Sequence, residues 1–240
     1  MADPTFNRYA TAGRAIDRGY FDEGLRQHML RVFNYMGAGL VVTGLVAFLV
    51  STSPAMMQAI FMTPLKWVVM LAPLAFVMVL SFGINRLSFA SAQLVFWAYC
   101  AAMGLSMAAI FLVFTGASIA LTFFVTAATF LAMSLYGYTT KADLTRMGSF
   151  LMMGVFGIII AGLANIFFQS PALHFAISAI GVVIFTGLTA YDTQAIKEQY
   201  AEGYDRESQG KLALMGALTL YLDFINLFQF LLQFLGQRDE

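Results

Sequence analysis

Two aspartates stand where aspartates are expensive. Asp192 lies in Gly187-Leu-Thr-Ala-Tyr-Asp-Thr-Gln-Ala-Ile-Lys197 and Asp223 in Leu220-Tyr-Leu-Asp-Phe-Ile-Asn-Leu-Phe228. Each closes or interrupts a long apolar run. An ionised carboxylate in hydrocarbon costs at least ~3 kcal/mol, so such residues normally face a bundle interior or a watery path. Two carboxylates brought together there cannot both stay ionised cheaply, and they titrate as one unit. The chemistry open to them is proton sharing and transient cation binding. Whether they meet depends on how far the second run projects from the membrane, which the sequence leaves open. If they do not meet, Asp192 is placed to form an interfacial salt bridge with Arg86 or Lys197.

Around Asp223 the polar residues Thr219, Asn226, Gln229 and Gln233 recur. At 100° per residue they share an arc of about 120° with it. A polar stripe on an otherwise Leu, Ile and Phe helix faces protein or water, so this helix is expected at the centre of the molecule. For the amides alone, interhelical hydrogen bonding accounts for the pattern; the aspartate adds the possibility of a pore or relay.

The elements that must hold these residues are membrane helices. Of 240 residues, 60% are hydrophobic and 11% charged, against about 25% charged in soluble domains. Seven apolar runs, at 32–50, 65–84, 92–114, 118–136, 149–168, 173–193 and 212–235, each suffice to cross ~30 Å at 1.5 Å per residue. The expected class is all-α, with six membrane helices around a central C-terminal seventh. The expected organisation is a cytoplasmic arm at 1–31, a membrane domain at 32–236 and a short tail at 237–240. Thr63-Pro64 and Ser170-Pro171 open the second and sixth runs, and Pro73 is expected to kink the second. Ala98, Ala102 and Ser106 form a small-residue seam on the third. Tyr138-Thr-Thr-Lys-Ala142 echoes Tyr191-Asp-Thr-Gln-Ala195 at the ends of the fourth and sixth.

Eleven Lys and Arg fall on the side of the N-terminus and two, Lys66 and Arg238, on the other. That bias places the N-terminus in the cytoplasm and the C-terminus outside. The zero net charge gives no sign of nucleic acid. One cysteine, Cys100, excludes an internal disulfide. His174 has no readable catalytic partner, and the fifteen methionines read as core filler. No enzyme activity and no bound cofactor are expected.

The two aspartate motifs and their spacing resemble the Bax inhibitor-1 family of seven-helix membrane proteins, in its bacterial branch, over roughly residues 30–236. The resemblance implies six helices in two layers around a polar-striped seventh. It also implies a calcium leak in the bacterial inner membrane, controlled by pH through an aspartate pair. Asp192 and Asp223 match those positions, and Arg86 matches a basic residue that engages them. Two carboxylates with amide oxygens and water would hold Ca²⁺ only weakly and transiently, since Ca²⁺ takes six to eight oxygens. The chain lacks the charged C-terminal tail of animal relatives, so tail-dependent control is not carried over. Bacterial relatives also suggest a regulator or partner of a membrane-anchored ATP-dependent protease. An intramembrane aspartyl protease is the enzyme alternative: Tyr191-Asp192 fits its first motif, but Tyr221-Leu-Asp223 lacks the glycines of its second.

Overall fold

In the computed structural model the chain is a bundle of long helices. The structure describes the backbone of residues 4–201 and 204–238, with side chains described from residue 23 and residues 202–203 excepted. The helices are α1 (Pro4–Ser51), α2 (Pro54–Phe61), α3 (Leu65–Gly83), α4 (Phe89–Met107), α5 (Gly116–Thr139), α6 (Thr145–Phe168), α7 (Pro171–Glu198) and α8 (Arg206–Leu235), with a 3-10 turn at Ala108–Leu112 after α4. Seven of them are long and apolar enough to cross a membrane. A bilayer core offers no water to backbone N–H and C=O groups, and helices satisfy them internally. This is an all-α, multi-pass membrane protein.

The helix starts are written in the sequence. Ser53, Ser88, Thr115, Ser170 and Asp205 each accept a backbone N–H from the first turn of the helix they open. Pro54 and Pro171 occupy the first helical position, where a missing N–H costs nothing. Helix α2 escapes a reading based on long runs, although Ser53-Pro54 is the same signal as Ser170-Pro171. Its Met57 and Ile60 are buried with Val50, Val69 and Ala108. Most helices outrun their apolar stretches by several residues, because polar ends continue the backbone hydrogen bonding into the interface. Helix α3 stays helical through Pro73. Helix α1 continues from Pro4 without a break at residue 31; the side chains of Arg8, Arg14 and Arg18 in the expected arm lie outside the described residues, as do tail residues 239–240.

Helix α8 is central. In its most apolar stretch 67% of residues are buried, against 11% for α6. It packs on α1, α4, α5 and α7. The other six long helices lie around it in layers, with α3 and α6 outermost, packing mainly on α4 and α7 respectively. Their lipid-facing sides carry Trp67, Met70, Phe150, Phe156 and Ile160, all exposed. Helix α4 approaches α1 closely at Gly104, where a Cβ would meet the Thr43 carbonyl at 2.7 Å.

Candidate functional site

Helices α7 and α8 run antiparallel in a register fixed at both ends. Ser178 donates to Gln233 Oε1 at 3.2 Å near one end. Gly181 faces the Phe230 ring, and Gly216 faces Ile196 near the other end. This register brings Asp192 and Asp223 together, and their carboxyl groups lie within hydrogen-bonding reach of each other. Asp223 is 4% exposed.

No protein donor serves the Asp223 Oδ2 atom. The nearby hydroxyls are already engaged. Thr189 and Thr193 donate to the Phe185 and Thr189 carbonyls, and Thr219 to Met215. Asn226 donates to the Leu222 carbonyl at 2.8 Å. With their hydroxyl protons spent on their own helices, the threonines have oxygen lone pairs left to offer, as does the Asn226 side-chain carbonyl. A carboxyl pair in such surroundings is satisfied by a proton between the two groups or by a cation, and by little else.

The other residues singled out are distributed less tightly. Gln229 is half-buried on α8, and Gln233 is exposed at its far end while holding Ser178. Arg86 is exposed in the turn between α3 and α4 and does not engage the aspartates. The reason is positional. Phe89, at the start of α4, packs on Gly210, which lies about 20 Å along α8 from Asp223 at 1.5 Å per residue. Arg86 belongs to that distant end. The interfacial salt bridge is absent as well: Lys197 instead donates to the Tyr138 carbonyl at 2.8 Å and lies over the Tyr138 ring. Ion pairs among the described side chains are Arg26–Glu23 and Lys211–Glu207.

Much of the Asp192 motif has a packing role. Gln194 accepts the Leu144 N–H and donates to the Ala142 carbonyl, tying the α5–α6 loop to α7. Tyr191 covers Gly148 of α6. The two copies of the Y-x-T-x-A echo are spatial neighbours, joined by the Gln194 amide donating to the Ala142 carbonyl.

Sequence reasoning missed a second buried polar group. Thr43 of α1 donates to the Cys100 carbonyl at 2.9 Å, and its oxygen lies 2.6 Å from the Tyr221 hydroxyl. Thr43 has one proton, already given to Cys100, so Tyr221 is the donor to Thr43. This cross-link ties α1 and α4 to α8 two residues before Asp223. The signal available was Tyr221 itself, since a buried tyrosine hydroxyl usually finds a partner. The ring of Tyr99 packs edge-on against Tyr221.

Among the described residues no group of three or more His, Cys, Asp or Glu is placed to hold a metal. The donor set of Asp192 and Asp223 fits passing occupancy by a hard cation better than a resident one.

Comparison with known proteins decides the family. The model of the family described as "Inhibitor of apoptosis-promoting Bax1" matches residues 25–240. The chain belongs to the Bax inhibitor-1 family. It is 47% identical to an uncharacterized protein of Rickettsia prowazekii over 92% of this chain and 93% of that one. A Caulobacter vibrioides protein is 46% identical, with 98% of this chain and 99% of that one covered. The Escherichia coli relative at 45% identity, covering 90% of this chain and 93% of that one, is named an inner membrane protein. The family match begins within α1 and covers all later helices and both aspartate motifs.

Proposed function

We propose that this family member is a pH-gated cation leak of the bacterial inner membrane, with calcium as the permeant ion and the Asp192–Asp223 pair as the gate. The observation that carries this reading is the approach of the two carboxyl groups, with the buried Asp223 Oδ2 served by no protein donor. In the closed state one proton is shared across the pair and ties α7 to α8. When that proton leaves, two like charges face each other. Their repulsion is on the order of 4 kcal/mol at ~4 Å and an effective dielectric constant of about 20. That exceeds the ~1 kcal/mol of an ordinary hydrogen bond, so the tie becomes a wedge. Opening admits a cation, which restores the balance of charge. Thr219, Asn226, Gln229 and Gln233 continue the path along α8 with neutral oxygens, a lining weak enough to release the ion again.

On this reading flux rises as pH rises through loss of the last shared proton of the pair. The test is calcium flux into dye-loaded liposomes over a pH series for wild type, Asp192→Asn and Asp223→Asn. Both variants are expected to lose most of the pH dependence, because an amide cannot share that proton. Three curves with the same midpoint and slope would remove the pair as the sensor.

A further inference from the structure

A crevice of about 390 Å³ opens between α1 and α5, lined by Arg26, Met29, Leu30, Phe33, Leu131, Ser134, Leu135 and Tyr138. It is separate from the aspartate pair. Its walls are apolar, and Leu30, Leu131 and Leu135 are exposed along them. Two polar features break that surface. Arg26 stands at one end, with a largely exposed side chain whose ion pair among the described residues is a 3.5 Å contact to Glu23 of its own helix. Ser134 lies deeper, 3% exposed, and its hydroxyl has no hydrogen-bond partner.

The Ser134 hydroxyl is the telling group. A serine in a membrane helix ordinarily donates to the carbonyl one turn back. On the same helix Thr126, Thr129 and Thr139 all do so. Ser134 does not, which leaves its proton for whatever fills the crevice. The vertical order also matters. Arg26 lies near the start of the membrane stretch Glu23–Ser51, and Tyr138 is one residue from the end of α5. Both mark the same membrane interface. Ser134 sits roughly 6 Å further in from Tyr138, at 1.5 Å per residue. Lys197, held over the Tyr138 ring, adds a second positive charge at that level.

We propose that this crevice is a binding site for an anionic glycerophospholipid. Arg26 takes the phosphodiester, with the field of Lys197 favouring a net negative headgroup. The Ser134 hydroxyl donates to an ester carbonyl of the glycerol backbone. One acyl chain follows Leu30, Phe33, Leu131 and Leu135. The order cation, hydroxyl, hydrocarbon matches the order phosphate, ester, chain in such a lipid, and the site opens sideways between two membrane-crossing helices. A soluble anion would leave the apolar wall uncovered, and a hydrocarbon alone would leave Arg26 and Ser134 unused.

The experiment is native mass spectrometry of the full-length protein released from detergent, titrated separately with phosphatidylglycerol and phosphatidylcholine. Wild type is expected to retain one phosphatidylglycerol at least about ten-fold more tightly than phosphatidylcholine, the scale of one charge-assisted contact. Arg26→Gln removes that preference, and Arg26→Lys restores part of it. Ser134→Ala weakens both lipids by several-fold. Leu135→Trp, an exposed rim change that blocks the crevice without touching the core, abolishes the single tight site; it carries the test alone if an Arg26 variant does not fold. Equal retention of the two lipids by wild type, or a tight site that survives Leu135→Trp, overturns the proposal.

Discussion

Asp223 and Asn226 lie one turn apart on the same face of α8, yet they should differ sharply in what their loss does. Asp223→Asn removes the group whose buried oxygen has no protein donor. Asn226→Ala removes an amide whose N–H₂ group already serves the Leu222 carbonyl. Calcium flux in liposomes at neutral pH is therefore expected to fall at least about ten-fold with Asp223→Asn, and by less than about three-fold with Asn226→Ala, on the scale of a lost charge against a lost neutral ligand. Equal effects would make the stripe packing glue and nothing more. At this scale the sequence was legible by cost: a carboxylate inside an apolar run announces itself. The contact between Asp192 and Asp223 was not legible, because it depends on the α7–α8 register across the loop at 199–205, which is set by pairs such as Ser178–Gln233 and Gly216–Ile196 that reach beyond the two motifs. The role assigned to Arg86 failed for a related reason. A motif names a residue type at the end of a helix, but only the packing of Phe89 on Gly210 shows how far along α8 that end lies.

Between elements, the pair is held by close backbone approach. At Gly137 of α5 an added Cβ would run into the carbonyl group of Ala190, two residues before Asp192. Backbone cannot turn aside as a side chain can, so Gly137→Ala must push α7 away from α5. The expected cost is about 1–3 kcal/mol, the usual range for overpacking, read as a lowered unfolding midpoint in detergent. The same displacement should move the pH midpoint of flux, whereas an unchanged midpoint in a destabilised protein would uncouple this crossing from the gate. Another titratable element should stay silent near neutral pH. The Asp205 carboxylate caps α8 by accepting the Glu207 and Ser208 N–H groups. Its contact with Ser208 holds it below the ordinary 3.8. A lowered carboxyl stabilises the fold above its unfolded value, and that contribution is lost only as pH falls through the lowered one. Asp205→Ala is thus expected to speed amide exchange at Glu207 and Ser208 while leaving the flux curve unchanged above pH 5. A shifted curve would mean that the start of α8 takes part in gating. Helix existence was readable from apolar runs and caps such as Ser170-Pro171. The α2 turn was not, because eight residues fall below any membrane-length window even though Ser53-Pro54 marks the start.

For the whole molecule the decisive number is odd. Seven helices long enough to cross predict termini on opposite sides, and the contacts respect that alternation. The chain after α8 meets the start of α5, with the Thr115 N–H donating to the Gln237 carbonyl and Ser118 accepting the Gln237 N–H. At the opposite face, Gln194 and Lys197 of α7 hold the α5–α6 loop and the end of α5. The charge bias predicts which face is cytoplasmic: eleven Lys and Arg accompany the N-terminus and the α7–α8 loop, and two accompany the C-terminus. A reporter that folds only in the cytoplasm is expected to stay dark when fused after residue 240 and to be active at the N-terminus. The opposite pattern would invert the molecule. Orientation has a consequence for the gate. Asp192 lies about 9 Å from the end of α7 at 1.5 Å per residue, so the shared proton is nearer the face carrying Lys197. In liposomes with oriented protein, raising the pH on that face should open the leak, while the same change on the face carrying Arg238 should act more slowly or not at all. Equal responses from both faces would place the pair in open contact with both solutions, and the protein would then be a pore without a closed state.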